Sequence, residues 1–280
     1  MSKQAGHQAR KRFGQNFLQD QNIIRNILLS ISPKQTDNIV EIGPGLGAIT
    51  EHLLKATEGN LNVVEIDRDL VKVLTTQFFN FPNMNIHQGD ALKFDFSQLG
   101  DENKKLRIVG NLPYNISTPL IFHLISFAGQ VKDMHFMLQK EVVDRMAAQA
   151  GDSAYGRLSV MVQYFCRVES LFNVPPTAFH PQPKVDSAIV RLVPYDTLPT
   201  PAKDPKHLAG LVTTAFNQRR KTIRNNLKKL MSAEQLEALG INPGLRPENL
   251  TLQNFVAISD TLSSPSSDSD TDQNDNLHSK

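Results

Sequence analysis

The chain has 280 residues, 40% of them hydrophobic and 21% charged, with a formal net charge of +2. That length supports one large domain, or a large and a small one. Its single cysteine, Cys166, excludes an internal disulfide and fits a reducing compartment, so a cytoplasmic location is expected. No apolar run approaches the roughly 18–20 residues that span a bilayer, and no HExxH or CxxC spacing suggests a metal site.

The first residues, MSKQAGHQARKRFGQNFLQ, are basic but lack an apolar stretch, so they do not read as a secretory signal. They hold a first basic cluster, Arg10, Lys11 and Arg12. Beyond them, short apolar runs alternate with helical patterns. NIVEIGPG (38–45) reads as a strand entering a glycine turn, and LNVVEID (61–67) as a second strand. MNIHQGDAL (84–92), LRIVGNLPY (106–114) and DMHFMLQ (133–139) follow as a third, fourth and fifth. AITEHLLKA and RDLVKVLTTQF are among the intervening helices. Continuous apolar strands alternating with helices imply an α/β fold, a parallel sheet covered on both faces. SAIVRLVPY (187–195) is a further strand, and Cys166 reads as a small core residue.

PYDTLPTPAKDP (194–205) carries four prolines and reads as a linker. The expected organisation is a first domain over 1–195, a linker over 196–205, a helical domain over 206–260 and an acidic tail over 261–280. From His207 to Leu230, apolar residues at 208, 211, 212, 216, 223, 227 and 230 follow a helical stripe. SAEQLEALG opens with a capping box, Ser232 and Gln235, and ENLTLQNFVAISDTL forms a last helix. The tail has four aspartates against one lysine, so the residues before it carry five net positive charges. A basic body suggests an anionic partner.

Three features carry chemistry. In EIGPGLGA, Gly43, Gly45 and Ala48 fit the spacing of a ribose-cofactor loop between a strand and a helix, with Glu65 following at the end of the next strand. The ordinary alternative is a tight turn. Glu41, Glu65 and Asp90 place acids at the tips of three successive strands, which suits S-adenosylmethionine, with its ammonium, ribose and adenine, better than a pyrophosphate. Asp90 alone would also serve as a helix cap. In GNLPY, Asn111 ends the fourth strand, where open parallel sheets bind ligands. Its amide and a turn carbonyl are acceptors for a planar amine, and Tyr114 offers a stacking face. By itself that string is an ordinary Asn-Pro turn. Finally, FNQRRKTIRNNLKKL (216–230) has six basic residues and no acid. Arg219, Arg220, Lys221, Arg224 and Lys228 are candidate RNA contacts. Arg220, Arg224 and Lys228, at i, i+4 and i+8, are expected to line one helix face that tracks phosphates, although a solvated face is the usual alternative.

The set RKRFGQNFLQD, VEIGPGLGAIT, VVEIDRDL, GDAL, GNLPYNISTPL, MLQKEV, YGRLSV and AFHPQPKVDSAIVRL resembles the bacterial small-subunit ribosomal RNA adenine dimethyltransferase family, over roughly residues 7–260. The resemblance implies a Rossmann-like class I methyltransferase sheet plus a small all-helical C-terminal domain, with S-adenosyl-L-methionine as cofactor. The implied substrate is two adjacent adenosines in the 3′-terminal hairpin of 16S rRNA, within a 30S subunit or its precursor and with no obligate protein partner. Asn16 and Leu18 would close over the cofactor, Gly43 would contact its methionine part, Glu65 its ribose and Asp90 its adenine. Asn111 would bridge cofactor and target amine, with the Pro113 carbonyl as second acceptor. Tyr114 and Phe179 would sandwich the target base. Three other readings stay open: a nicotinamide oxidoreductase resting on the glycine loop, a non-catalytic RNA-binding assembly factor, and a large-subunit adenine methylase.

Overall fold

The computed structural model describes residues 16–100 and 104–263. They form two compact units, one of residues 16–100, 104–149 and 153–199, the other of 150–152 and 200–263.

The first unit opens with a two-residue strand, β1 (Phe17–Leu18), and a helix, α1 (Gln21–Ile31). Asp20 caps that helix by accepting the backbone N–H groups of Asn22 and Ile23. Ile24, Ile27 and Ile31 then recur on its buried face. Strands and helices alternate onward: β2 (Asn38–Ile42), α2 (Thr50–Ala56), β3 (Leu61–Glu65), α3 (Arg68–Gln77), β4 (Met84–Gln88), β5 (Leu106–Asn111) and α4 (Ser117–Ile125). Next come β6 (Val131–Gln139), α5 (Lys140–Ala147), α6 (Arg157–Phe165), β7 (Cys166–Val174), β8 (Phe179–His180) and β9 (Ser187–Pro194).

Seven strands make one sheet in the order β4-β3-β2-β5-β6-β9-β7. The pairs from β4 to β6 are parallel, and β9 runs antiparallel to both β6 and β7. Side chains alternate across the sheet, so each face feeds its own core. Val40, Ile42, Ile108, Met134 and Phe136 join one apolar cluster. Ile39, Val63, Val109, Met137 and Ile189 join the other, with the buried face of α1.

The chain order reverses between β2 and β5, which places the switch point, and hence a crevice, at their carboxyl ends. Gly110 is required there. A Cβ at that position would stand 2.5 Å from the Ile42 carbonyl oxygen. At the opposite end of these strands, the Arg107 guanidinium is enclosed. It donates to Asp37 (2.7 Å), to both carboxylate oxygens of Asp133 (2.9 Å each) and to the Ile31 carbonyl (2.6 Å).

The pattern of the sequence does not announce β7. It is an edge strand with only Cys166 and Val174 buried, so it lacks an apolar run. The two-residue strands β1 and β8 pair antiparallel, Leu18 opposite Phe179.

The second unit is helical: α7 (Pro205–Phe216), α8 (Ile223–Leu227), α9 (Ala233–Ala238) and α10 (Leu252–Leu262). The capping box of Ser232 and Gln235 forms as expected. The single helix face expected for Arg220, Arg224 and Lys228 does not form. The helix stops at Phe216 and resumes at Ile223, and across the break the Asn226 amide donates to the Ala215 carbonyl (2.8 Å) and the Gln218 carbonyl (3.2 Å). Those bonds satisfy carbonyls that a continuous helix would have used. Arg219, Arg220 and Lys221 lie in the resulting turn, Arg224 on α8 and Lys228 just past its end, all exposed.

Candidate active site

The crevice at the switch point is a cavity of about 1280 Å³. Its walls include Asn16, Leu18, Gly43, Glu65, Asp90, Asn111, Pro113, Tyr114 and Phe179. Arg10, Lys11 and Arg12 lie outside the described residues.

Each wall follows from its element. The loop after β2 turns at Gly43, whose φ of 64° lies in the left-handed region that favours glycine. Its N–H still donates to the Val64 carbonyl (2.9 Å), so the turn continues the ladder. The Phe17 ring packs on this loop at Gly45. Glu65 ends β3. Its carboxylate accepts the Asp67 N–H at 2.8 Å, and burial raises its pKa above the usual carboxylate value despite that bond. Asp90 lies two residues past β4, where it accepts the Leu92 N–H (3.0 Å) and also faces the cavity. No helix follows, so Asp90 braces a turn over residues 91–93 and caps no helix.

Glu41 is the strongest electrostatic feature. It is buried on β2, accepts a hydrogen bond from the Thr50 hydroxyl (2.7 Å), and lines the same cavity. Burial, with a smaller contribution from Glu65, pushes its pKa up to about 7. The sequence shows this acid beside the glycine loop but not its burial without an ion-pair partner among the described residues.

On the other side, Asn111 ends β5 with its amide nitrogen donating to the Asn16 carbonyl (3.2 Å). The amide oxygen is thereby left as the acceptor. The Pro113 carbonyl accepts the Ile116 N–H (3.1 Å), which leaves it one lone pair. Tyr114 is half-buried, and its hydroxyl shares a 3.1 Å hydrogen bond with Ser187 Oγ. Phe179 is both a core residue and a cavity wall, and β1 pairing brings Leu18 beside it. Phe17, Thr50 and Ser187 lie within the segments that carry the resemblance, but no local pattern assigns them a role in this site.

A mostly parallel sheet with this strand order, a glycine loop after β2 and acids at the neighbouring strand ends define a class I methyltransferase fold. A crystal structure of a dimethyladenosine transferase from Plasmodium falciparum matches it with a TM-score of 0.71 at 28% identity, covering 86% of this chain and 95% of that one. The crystal structure of the 23S rRNA methyltransferase ErmE shares the fold, with a TM-score of 0.70 at 23% identity, over 89% and 100%.

Residues 6–264 match the family described as ribosomal RNA adenine dimethylase. The chain belongs to that family of methyltransferases. Its relatives include the ribosomal RNA small subunit methyltransferase A of Marinobacter nauticus, 64% identical over 262 residues and covering 94% of each chain. The protein of the same name from Pseudomonas savastanoi pv. phaseolicola is 62% identical over 263 residues, 94% of this chain and 98% of its own.

Proposed function

We propose that the protein uses S-adenosyl-L-methionine to dimethylate the exocyclic amines of two adjacent adenosines in the 3′-terminal hairpin of 16S rRNA. The substrate would be a 30S subunit or its precursor in the cytoplasm. The observation that carries this reading is the convergence, in one cavity, of carboxylates on the β2–β3 side and amine acceptors on the β5 side.

The donor set fits this cofactor. A pyrophosphate would face Glu41 and Glu65, whereas a cationic amino acid would relieve the isolated Glu41. Glu65 would hold the ribose hydroxyls, Asp90 the adenine amine and Gly43 the methionine part. Asn16 and Leu18 would close the site. When bound, the cofactor supplies an electrophilic methyl group on a sulfonium leaving group.

The chain's own task is positioning. The Asn111 amide oxygen and the remaining lone pair of the Pro113 carbonyl would accept the two N6 protons of adenine. That draws the nitrogen lone pair out of ring conjugation and aims it. Tyr114 and Phe179 would sandwich a base taken out of its stack. The first unit then serves as the catalytic domain. The exposed basic residues 219–221, Arg224 and Lys228 of the second unit would bind RNA phosphates, as would Arg10, Lys11 and Arg12.

The test is transfer of a labelled methyl group from S-adenosylmethionine to small subunits lacking the modification, with large subunits as control. Dimethyladenosine from small subunits alone supports the reading. Label in large subunits, or in neither, overturns it.

A further inference from the structure

We propose that Ser187 is a positioning residue that sets how far methylation proceeds, by holding the Tyr114 ring during the second methyl transfer. The proposal rests on the stacking role given to Tyr114 above.

Ser187 opens β9 and is 1% exposed. It is paired on both sides, with Gln139 of β6 and Val174 of β7, so its hydroxyl is carried by a backbone that cannot drift. That hydroxyl meets the Tyr114 phenol at 3.1 Å, across 73 residues of sequence. The backbone of Tyr114 is held independently, because its carbonyl accepts the Ser117 hydroxyl at 3.2 Å. One bond fixes the base of the side chain and the other its tip. A half-buried ring at the mouth of a cavity is thereby confined to one tilt.

The chemistry shows when this confinement matters most. In each transfer the N6 lone pair forms the N–C bond as the S–C bond breaks and its electron pair returns to sulfur, and one N6 proton leaves to water. Unmodified adenine presents two N–H groups to two acceptors, Asn111 Oδ1 and the Pro113 carbonyl. After the first methyl arrives, one N–H remains. The second transfer therefore has one hydrogen bond fewer to orient the amine, and more of the orientation falls on the stacked rings. A loosened Tyr114 would slow the second step more than the first.

The test uses the full chain and small subunits lacking the modification, with nucleosides resolved into monomethyladenosine and dimethyladenosine. Ser187→Ala and Tyr114→Phe each remove the bond while keeping the ring. Each is expected to raise the mono-to-dimethyl ratio on the order of tenfold, the size of one hydrogen bond. The double variant should go no further than either single one, and Ser187→Thr should restore the ratio. Cofactor affinity, measured by calorimetry, should match the parent in all of them. An unchanged ratio in Ser187→Ala and Tyr114→Phe, or additive changes in the double variant, would overturn the proposal. Tyr114→Ala separates the role of the ring from the role of its hydroxyl bond. If it abolishes transfer while Ser187→Ala changes nothing, the stacking role stands and the Ser187 proposal fails. If Tyr114→Ala transfers normally, the stacking role fails first and takes the proposal with it.

Discussion

At the amino ends of β2, β5 and β6, the buried Arg107 guanidinium meets Asp37 and Asp133, and its donors are matched to carboxylate and carbonyl oxygens. At the carboxyl ends of β2 and β3, Glu41 and Glu65 are also buried, but among the described residues neither is paired with a cation. The desolvation is similar and the outcome opposite. Arg107 stays charged in a closed network. Burial pushes the pKa of Glu41 up to about 7, and among the described residues no ion pair offsets it. One end of the sheet holds the fold together. The other leaves two buried carboxylates unpaired among the described residues, as the proposed cationic ligand would require.

The largest expected effect comes from breaking the closed end. Arg107→Ala leaves two buried carboxylates without their partner and should destabilise the protein by about 3–5 kcal/mol. Urea unfolding reads this directly, and an unchanged midpoint would mean that the network contributes little.

The open end should respond the other way. Glu41 has an ordinary pKa of 4.5 and a folded value of about 7. Between those values the folded chain keeps a proton that the unfolded chain releases. The group's contribution to stability therefore falls as pH rises from 4.5 to 7, and is least favourable above 7. Glu41→Gln should stabilise the ligand-free protein at pH 8 by on the order of 1–3 kcal/mol, with little gain at pH 4.5. The same variant should bind S-adenosylmethionine more weakly. In the parent protein, affinity should decline below pH 7, since proton and ligand cation compete for one carboxylate. Thermal melts and calorimetry at two pH values check both parts. A variant that is less stable at pH 8 and binds normally would remove Glu41 from this role.

A smaller effect is expected from the second unit. Arg220 and Arg224 are exposed, and neither is paired with a carboxylate among the described residues. Replacing both by Ala should weaken RNA binding and make the logarithmic salt dependence shallower by about two. Filter binding over a salt series would show an unchanged slope if these residues do not touch phosphates.

The two ends of the sheet were also unequally legible in the sequence. Strands β2, β3 and β5 are buried on both faces, so each carries a short apolar run, with an acid or amide at or next to its carboxyl end. The glycine loop and the Asn-Leu-Pro-Tyr turn are contiguous and could be read in place. The edge strand β7 gives no such run. The break between α7 and α8 is hidden because Phe216 and Ile223 stand seven residues apart, close to two helical turns, so the apolar spacing survives the interruption. Asn226, whose amide bonds across the break, looks like any polar residue on a helix. Arg107 with Asp133 and Tyr114 with Ser187 are contacts between distant segments, and no local pattern encodes them.

The most direct test compares the parent protein with Asn111→Ala, measuring S-adenosylmethionine binding and methyl transfer to unmodified small subunits side by side. If the β5 end of the cavity orients the target amine, the variant should fold and bind the cofactor with only the modest loss of its one contact, while losing transfer by at least a hundredfold, as expected when positioning is the main source of catalysis. Transfer at the parental rate would contradict the account at its centre.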